Sequence, residues 1–568
     1  MKTVAILSLL VLSGAARQVD APPVVFSGSV VDAVTGQPVA GARVRIGAGI
    51  SAPPDFDVGL PRATVVAQVT STDSLGSFEF RDFEPGAYTL SVDRDGYVVQ
   101  VYGQRTAFGR PVPIDIVPGG NDAVVVRLTP AATLSGSVTD PDEQAVAGIS
   151  VYLLRTEFTP EGERLRALIQ ALTDATGRYA LTDIPPGSYY VAAGPSGLAP
   201  GPQRGLPAYR WTYYPGVSEA ALAGSIGLLA GTRIDGIDLT VAPAELFSVR
   251  GRVVDSRTGE PPPSVRVMLV RRLPFIPAGT YSLTEVPIAI GARYDPEDGT
   301  FGFEGVPEGR YRLDANLPLS DPDGAFARLL DFDFMGGAIP DAHLILDVDG
   351  DVGDLDLRVP GGGLLRGEVR VTGGVPLSDL GETPPRFGLE ATEPLQPFVA
   401  RTPVAPNGTF EVVGSLSGRY RFFLLPLPDN FYVSEARLNG ARVTSEVLSI
   451  PKDAISELRI ELSPDGGEVR GRVLDRDGQP LTGVQGLLLP DPLPRTLDRY
   501  REVYLDAEGL FVLRGVPPGT WRIYVWEDFD LFAYFDPDLL RRSTPDATPV
   551  RVDARSRILL EIEAIRSR

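Results

Sequence analysis

One histidine, His343, and no cysteine stand in 568 residues. A zinc hydrolase takes several His or Cys ligands around its metal. Ser-His-Asp and Cys-His nucleophile systems need a base or a thiol that only His343 is left to supply. Set between Ala342 and Leu344, His343 reads as an ordinary residue near a strand. Paired carboxylates remain, and 73 Asp and Glu always offer two at the spacing of glycoside hydrolysis. No insertion large enough to wall a cleft interrupts the chain, however. Asp347-Val348-Asp349-Gly350-Asp351 opens like a calcium loop. An EF-hand then wants Gly at its sixth position and an acid at its twelfth, where Val352 and Arg358 stand. A solvated turn into a strand, with Asp354 and Asp356 on the exposed face, fits these residues better. The chain is read as a non-enzyme with no catalytic residue, metal ligand or cofactor.

Two aromatic groups are the remaining candidates for a site. Tyr209, Trp211, Tyr213 and Tyr214 sit in a Pro/Gly-rich extension. Flat rings in a loop suit the C–H faces of a sugar, so these four are the candidate ligand-binding residues. The competing reading is that they cover a domain or fill a boundary between two. Trp526, Phe529, Phe532, Tyr534 and Phe535 are interleaved with Glu527, Asp528, Asp530 and Asp536, and read as core and edge cover.

Charge narrows the partners. The net charge of −20 argues against nucleic acid and against anionic membrane surfaces, both of which call for basic patches. Residues 1–16 read as a signal peptide: Lys2, an apolar run from Val4 to Leu12, then Ser13-Gly14-Ala15-Ala16 as a small-residue cleavage site. No stretch approaches the 18 to 20 apolar residues, roughly, of a membrane span, so no membrane insertion is expected. An exported protein, periplasmic or extracellular, is the expectation. With no disulfide to staple it, stability must come from packed cores.

The elements that would carry any site recur five times. The segments are GSFEFRDFEPGAYTL from Gly76, GRYALTDIPPGSYYV from Gly177, GTFGFEGVPEGRYRL from Gly299, GTFEVVGSLSGRYRF from Gly408 and GLFVLRGVPPGTWRI from Gly509. Two glycines bracket each copy at constant spacing, and two residues past the second comes a ring: Tyr88, Tyr189, Tyr311, Tyr420 and Trp521. Alternation of apolar residues marks a strand on each side of a Pro/Gly turn. Phe83, Ile184, Val306, Leu416 or Val516 plugs the core before the turn. A ring at such a corner suits a tyrosine corner, its hydroxyl bonded to nearby backbone at about 1 kcal/mol. Trp521 has only an N–H to offer, so the fifth corner is expected to close differently.

Upstream of each copy lies an opening strand: FSGSVVD around Gly28, LSGSVTD around Gly136, VRGRVVD around Gly251, LRGEVRV around Gly367 and VRGRVLD around Gly471. Closing strands are expected at Val124–Leu128, Ile237–Val241, Leu355–Val359, Leu458–Leu462 and Ile558–Ile562. The fold class is therefore all-β: five tandem Ig-like or prealbumin-like antiparallel β-sandwich modules. They span residues 24–129, 132–242, 246–360, 363–463 (divergent) and 467–568. Linkers of four or five residues favour a semi-rigid rod or arc, which fully extended would reach about 170 Å.

The G-x-V-x-D openings (Gly28–Asp32, Gly251–Asp255, Gly471–Asp475), the G-x-P-x-x-G turn and the P-x-G-x-Y segment resemble the carboxypeptidase regulatory-like domain, a transthyretin-like or prealbumin-like sandwich. Tyr213–Val241, Ala436–Val443 and Val516–Phe529 also resemble multi-module exported bacterial proteins of this kind. The fourth module departs from the pattern, with Val371 in place of the acidic residue. The resemblance implies a fold that accompanies enzymes or receptors without doing chemistry. Five non-identical modules, short linkers and the lack of chemistry point to a structural or interaction role at the envelope or outside the cell, with an unidentified protein or polysaccharide as partner. Carbohydrate binding is the alternative, by analogy with starch-binding-like modules.

Overall fold

The computed structural model describes residues 24–49, 64–83, 86–109, 111–117, 123–159, 162–195, 208–271, 274–276, 288–317, 341–359, 364–377, 380, 383–392, 401–413, 416–443, 447–451, 454–475, 477–481, 484–493, 500–506, 508–527, 530 and 533–566. The expected signal peptide at 1–16 lies outside them, as do Asp528, Phe529 and Phe532.

Each repeat folds as its alternation dictates. In the first module the opening strand Val24–Asp32 pairs antiparallel with the pre-turn strand Ser77–Phe83. Its other edge pairs parallel with the closing strand Val124–Leu128. The ring-bearing strand Gly86–Asp93 belongs to the facing sheet, beside Arg43–Gly49 and Thr64–Ser71. The Pro/Gly turn is therefore a corner between two sheets and not a hairpin. Opening strands Ala132–Thr139, Leu246–Asp255, Leu364–Val371 and Gly467–Leu474 lie the same way, between an antiparallel pre-turn strand and a parallel closing strand.

The chain is thus all-β, a tandem of five sandwiches, with one correction to the expected antiparallel modules. In every one the opening and closing strands run parallel. The closing strand arrives from the facing sheet across the end of the sandwich, as a parallel neighbour must, because no hairpin can make that connection. Closing strands appear at Val124–Leu128, Val352–Val359, Ile455–Ser463 and Arg557–Glu563. In the second module the strand is broken into Arg233–Ile234 and Leu239–Thr240. The fourth module diverges by an added strand, Tyr432–Leu438, laid antiparallel on the outer edge of its closing strand.

Each sandwich closes over its own apolar core, such as Phe26, Val30, Ile46, Phe80, Leu90 and Leu128 in the first. The residue before the corner is buried in Ile184, Val306, Leu416 and Val516. One helix had no sequence signal: Pro537–Ser543, started by the Asp536 side chain accepting from Asp538 N–H at 2.8 Å. The modules do not string out into an extended rod, because Asp530 of the fifth stands 3.0 Å from Arg155 of the second. The chain curves back on itself.

Candidate functional site

The corner rings do structural work that can be measured. Tyr189 donates its hydroxyl to Pro185 C=O at 2.7 Å and Tyr311 to Pro307 C=O at 2.8 Å. Burial pushes Tyr189 up to about 12 and raises Tyr311 in the same direction. Tyr420 reaches one residue less far, to Ser417 C=O at 3.2 Å. The expectation for Trp521 is corrected. Its indole N–H donates to Pro517 C=O at 3.0 Å, the same fourth-preceding carbonyl that Tyr189 and Tyr311 use. An indole nitrogen reaches nearly as far from Cα as a phenol oxygen does, and only the donor changes. Tyr88 is half-buried against the first core.

The first glycine of each pair makes the turn into the pre-turn strand. Gly76 has φ +72°, and an added Cβ would stand 2.5 Å from Val30 C=O. Its own carbonyl accepts Val30 N–H at 2.8 Å, and the same bond recurs from Val138 to Gly177, Val253 to Gly299, Val369 to Gly408 and Val473 to Gly509. An aspartate just upstream ties down three of these turns: Asp73 accepts from Leu75 and Ser77 N–H, Asp174 from Thr176 and Arg178, Asp506 from Glu508 and Leu510. Those residues escaped the sequence reading, although D-x-x-G ahead of an alternating strand is their signal. The acid ending the opening motif has the same task. The Thr35 N–H holds the Asp32 carboxyl below the usual carboxylate range, with Val34 N–H also bonded to it.

The candidate sugar loop lies at the boundary between the second and third modules. Tyr213 is buried at 1% exposure. Trp211 lies over Gly194, where an added Cβ would meet its ring at 2.3 Å. The Trp211 ring also meets Phe275 of the third module edge-on at 5.0 Å and Tyr152 at 5.5 Å. Ile276 extends the junction by backbone, accepting from Ala167 N–H and donating to Leu165 C=O, each at 2.8 Å. Tyr209 and Tyr214 are half-buried and pack against the core of the second module. The neighbouring Arg210 bonds Glu308 of the third.

A second junction joins the first, second and fifth modules. Strands Ser150–Thr159 and Gly162–Leu172 make a hairpin longer than its counterpart Arg43–Gly49 with Thr64–Ser71. The extra length carries Phe158, and Arg155 stands just before it, at the level of Ala48 in the counterpart. Arg155 pairs with Asp530 and lies 3.8 Å over the Phe108 ring of the first module. Thr106 donates to Asp530 at 2.7 Å. Phe158 packs against a second core of the fifth module, built from Leu487, Tyr524, Trp526, Tyr534 and Leu540. Trp526 is fully buried and donates to Ser543 Oγ at 2.9 Å.

His343 lies in Ala342–Val348 opposite Asp314, and Arg312 pairs with Asp314 on the neighbouring strand at 2.7 Å, both buried. In the calcium-like segment Asp351 accepts from Ser248 N–H and Oγ at 2.7 and 3.0 Å, tying the turn to the opening strand. Among the described residues no group of three or more His, Asp or Glu is placed to hold a metal. No described helix is long and apolar enough to cross a membrane.

Residues 25–129 and 133–208 match the carboxypeptidase regulatory-like domain. No curated protein matches the chain. Among solved structures it is similar to the TIE protein of Bacillus anthracis, at 12% identity over 59% of this chain and 50% of that one, with a TM-score of 0.15. It is also similar to a streptococcal ancillary pilin, at 12% over 59% and 99%, TM-score 0.23. A third is the shaft pilin SpaA of Lactobacillus rhamnosus GG, at 13% over 39% and 98%, TM-score 0.17. The chain spans half the length of the first of these.

Proposed function

We propose, for a chain whose residues 25–129 and 133–208 match the carboxypeptidase regulatory-like domain, that it is an exported, non-catalytic protein with a structural or interaction role at the cell envelope or outside the cell. One observation carries this reading: side chains outside the repeat pattern fasten modules to one another. Trp211 and Phe275 join the second to the third, and Arg155 with Phe158 joins the second to the fifth. Rings and charges used in this way give a framework of set shape, whose exposed loops are free to vary. Fractionation of cells expressing the tagged full chain, followed by in situ crosslinking, tests the role. Recovery in the envelope or medium within crosslinked assemblies supports it. A cytosolic, uncrosslinked chain sinks it, and so does turnover of peptide or glycan substrates.

The carbohydrate reading rests on Tyr209 and Tyr214, which keep part of their rings in solvent. A polysaccharide-binding assay with Tyr209→Ala and Tyr214→Ala separates the two. Binding that both substitutions abolish makes the chain a sugar binder, and no binding leaves the structural role.

A further inference from the structure

The closing strand of the fifth module, Arg557–Glu563, is an edge. It pairs parallel with Gly467–Leu474 on one side and with no strand on the other among the described residues. Unpaired edges invite another strand, and proteins usually cover or blunt them. The fourth module shows what this edge accepts, because there Tyr432–Leu438 lies antiparallel along the equivalent strand Ile455–Ser463. Among the described residues the fifth has no such cover, and it presents Leu559, 83% exposed, on its outer face.

We propose that this edge joins two copies of the chain, pairing antiparallel about a two-fold axis at Leu559. Glu468 N–H donates to Ser556 C=O, and Ala564 N–H to Leu474 C=O. In a parallel ladder this turns the main-chain groups of the even-numbered residues toward the neighbouring strand. Those of Arg557, Leu559 and Glu561 are left at the open edge. Antiparallel pairing centred on Leu559 sets Leu559 against itself and Arg557 against Glu561 of the second copy, twice by symmetry. All three pairs fall at hydrogen-bonded positions, and all three side chains lie on the exposed face. The outer face of the joined six-stranded sheet then carries Leu559, Val512 and Leu510 from both copies, with Arg470 and Arg472 on the strand between Leu559 and the other two; Val512 is 46% and Leu510 43% exposed in the single chain.

The open closing-strand edges of the first and third modules lack this complementarity. In Val352–Val359 the same construction sets Asp354 against Arg358 but Asp356 against itself, and like charges directly opposite repel. In Val124–Leu128 the one charge is Arg127, with no acid to meet it.

The mass of the full-length chain in solution, followed over two decades of dilution by light scattering after gel filtration, is the test. A dimer that dissociates on dilution is expected. Glu561→Arg and Arg557→Glu should each weaken it about ten-fold or more, because each sets like charges opposite twice. The double reversal should restore it. Leu559 is solvent-exposed in the single chain, so Leu559→Lys should dissociate the dimer and leave unchanged the unfolding midpoint measured at dilutions where both proteins are monomeric. A wild-type chain that stays monomeric throughout overturns the proposal. So does a dimer indifferent to all four variants, or charge reversals that the double variant does not rescue.

Discussion

Gly251 and Phe301 are cross-strand partners, and the ring of the second fills the space a side chain on the first would take. A Cβ on Gly251 would stand 2.6 Å from Phe301 Cζ and 2.5 Å from Leu355 C=O. The pairing recurs as Gly28 with Phe78, Gly367 with Phe410 and Gly471 with Phe511. In the second module Tyr179 takes the ring's place against Gly136 and donates its hydroxyl to Ile237 C=O at 2.6 Å. Two motifs that sit some fifty residues apart in sequence are thus one packing unit.

Gly251→Ala should therefore destabilise the third module by about 1–3 kcal/mol, the usual result of forcing atoms into a packed core. Hydrogen exchange along Thr300–Pro307 reads this directly. Phe301→Leu on that background should recover part of the loss, because a smaller side chain gives the new methyl room. Recovery on that background, with Phe301→Leu alone destabilising, identifies the ring as the obstacle. No recovery identifies Leu355 C=O instead.

The sandwiches were legible in the sequence because alternation and paired glycines are local signals. Even so, the partner of Gly251 is a ring that the repeat displays openly, and their contact is not local. The candidate site was legible only as a choice. Rings at Tyr209–Tyr214 announce themselves, but Phe275, which meets Trp211, lies some sixty residues away in another module and belongs to no repeat. Arg155 and Asp530 were invisible as a pair for the same reason. The helix Pro537–Ser543 is too short for a helical period to show.

Tyr189→Phe removes the bond to Pro185 C=O and keeps the ring. A loss of about 1 kcal/mol in the stability of the second module is expected, and Trp521→Phe should cost the fifth module a similar amount. Denaturant unfolding resolved by module-specific hydrogen exchange measures both. Equal stability in wild type and variants would mean that the rings hold the corners by packing alone.

The same tyrosine sets an alkaline limit. Its hydroxyl is pushed up to about 12 by burial, above the ordinary value of 10.0. The folded state thus binds the phenolic proton more tightly than the unfolded one. Its contribution is whole below pH 10 and is lost as pH rises toward 12. Stability of the second module should fall across that window, and Tyr189→Phe should flatten the fall. A profile unchanged by the substitution would place the alkaline sensitivity in other tyrosines.

The return of the fifth module onto the first and second rests on Arg155, Thr106 and Asp530. Asp530 is 39% exposed at its side chain, so Arg155→Ala should cost only about 1 kcal/mol. Its effect on shape should be larger, because the packing of Phe158 then has to hold the hairpin to the second core without the charge pair. The radius of gyration from small-angle scattering should rise in Arg155→Ala and rise further with Phe158→Ala. The chain has no cysteine of its own, which makes a second measurement clean. Thr106→Cys with Asp530→Cys should form one disulfide within a single chain under mild oxidation, closing a loop of more than four hundred residues. That loop would run faster than the reduced chain on a denaturing gel and preserve the wild-type radius. Crosslinks found only between chains, or none at all, would mean that the first and fifth modules do not meet in solution. A radius unmoved by both substitutions would mean that the arc is held by the Trp211–Phe275 junction and its neighbours, with Arg155 a passenger.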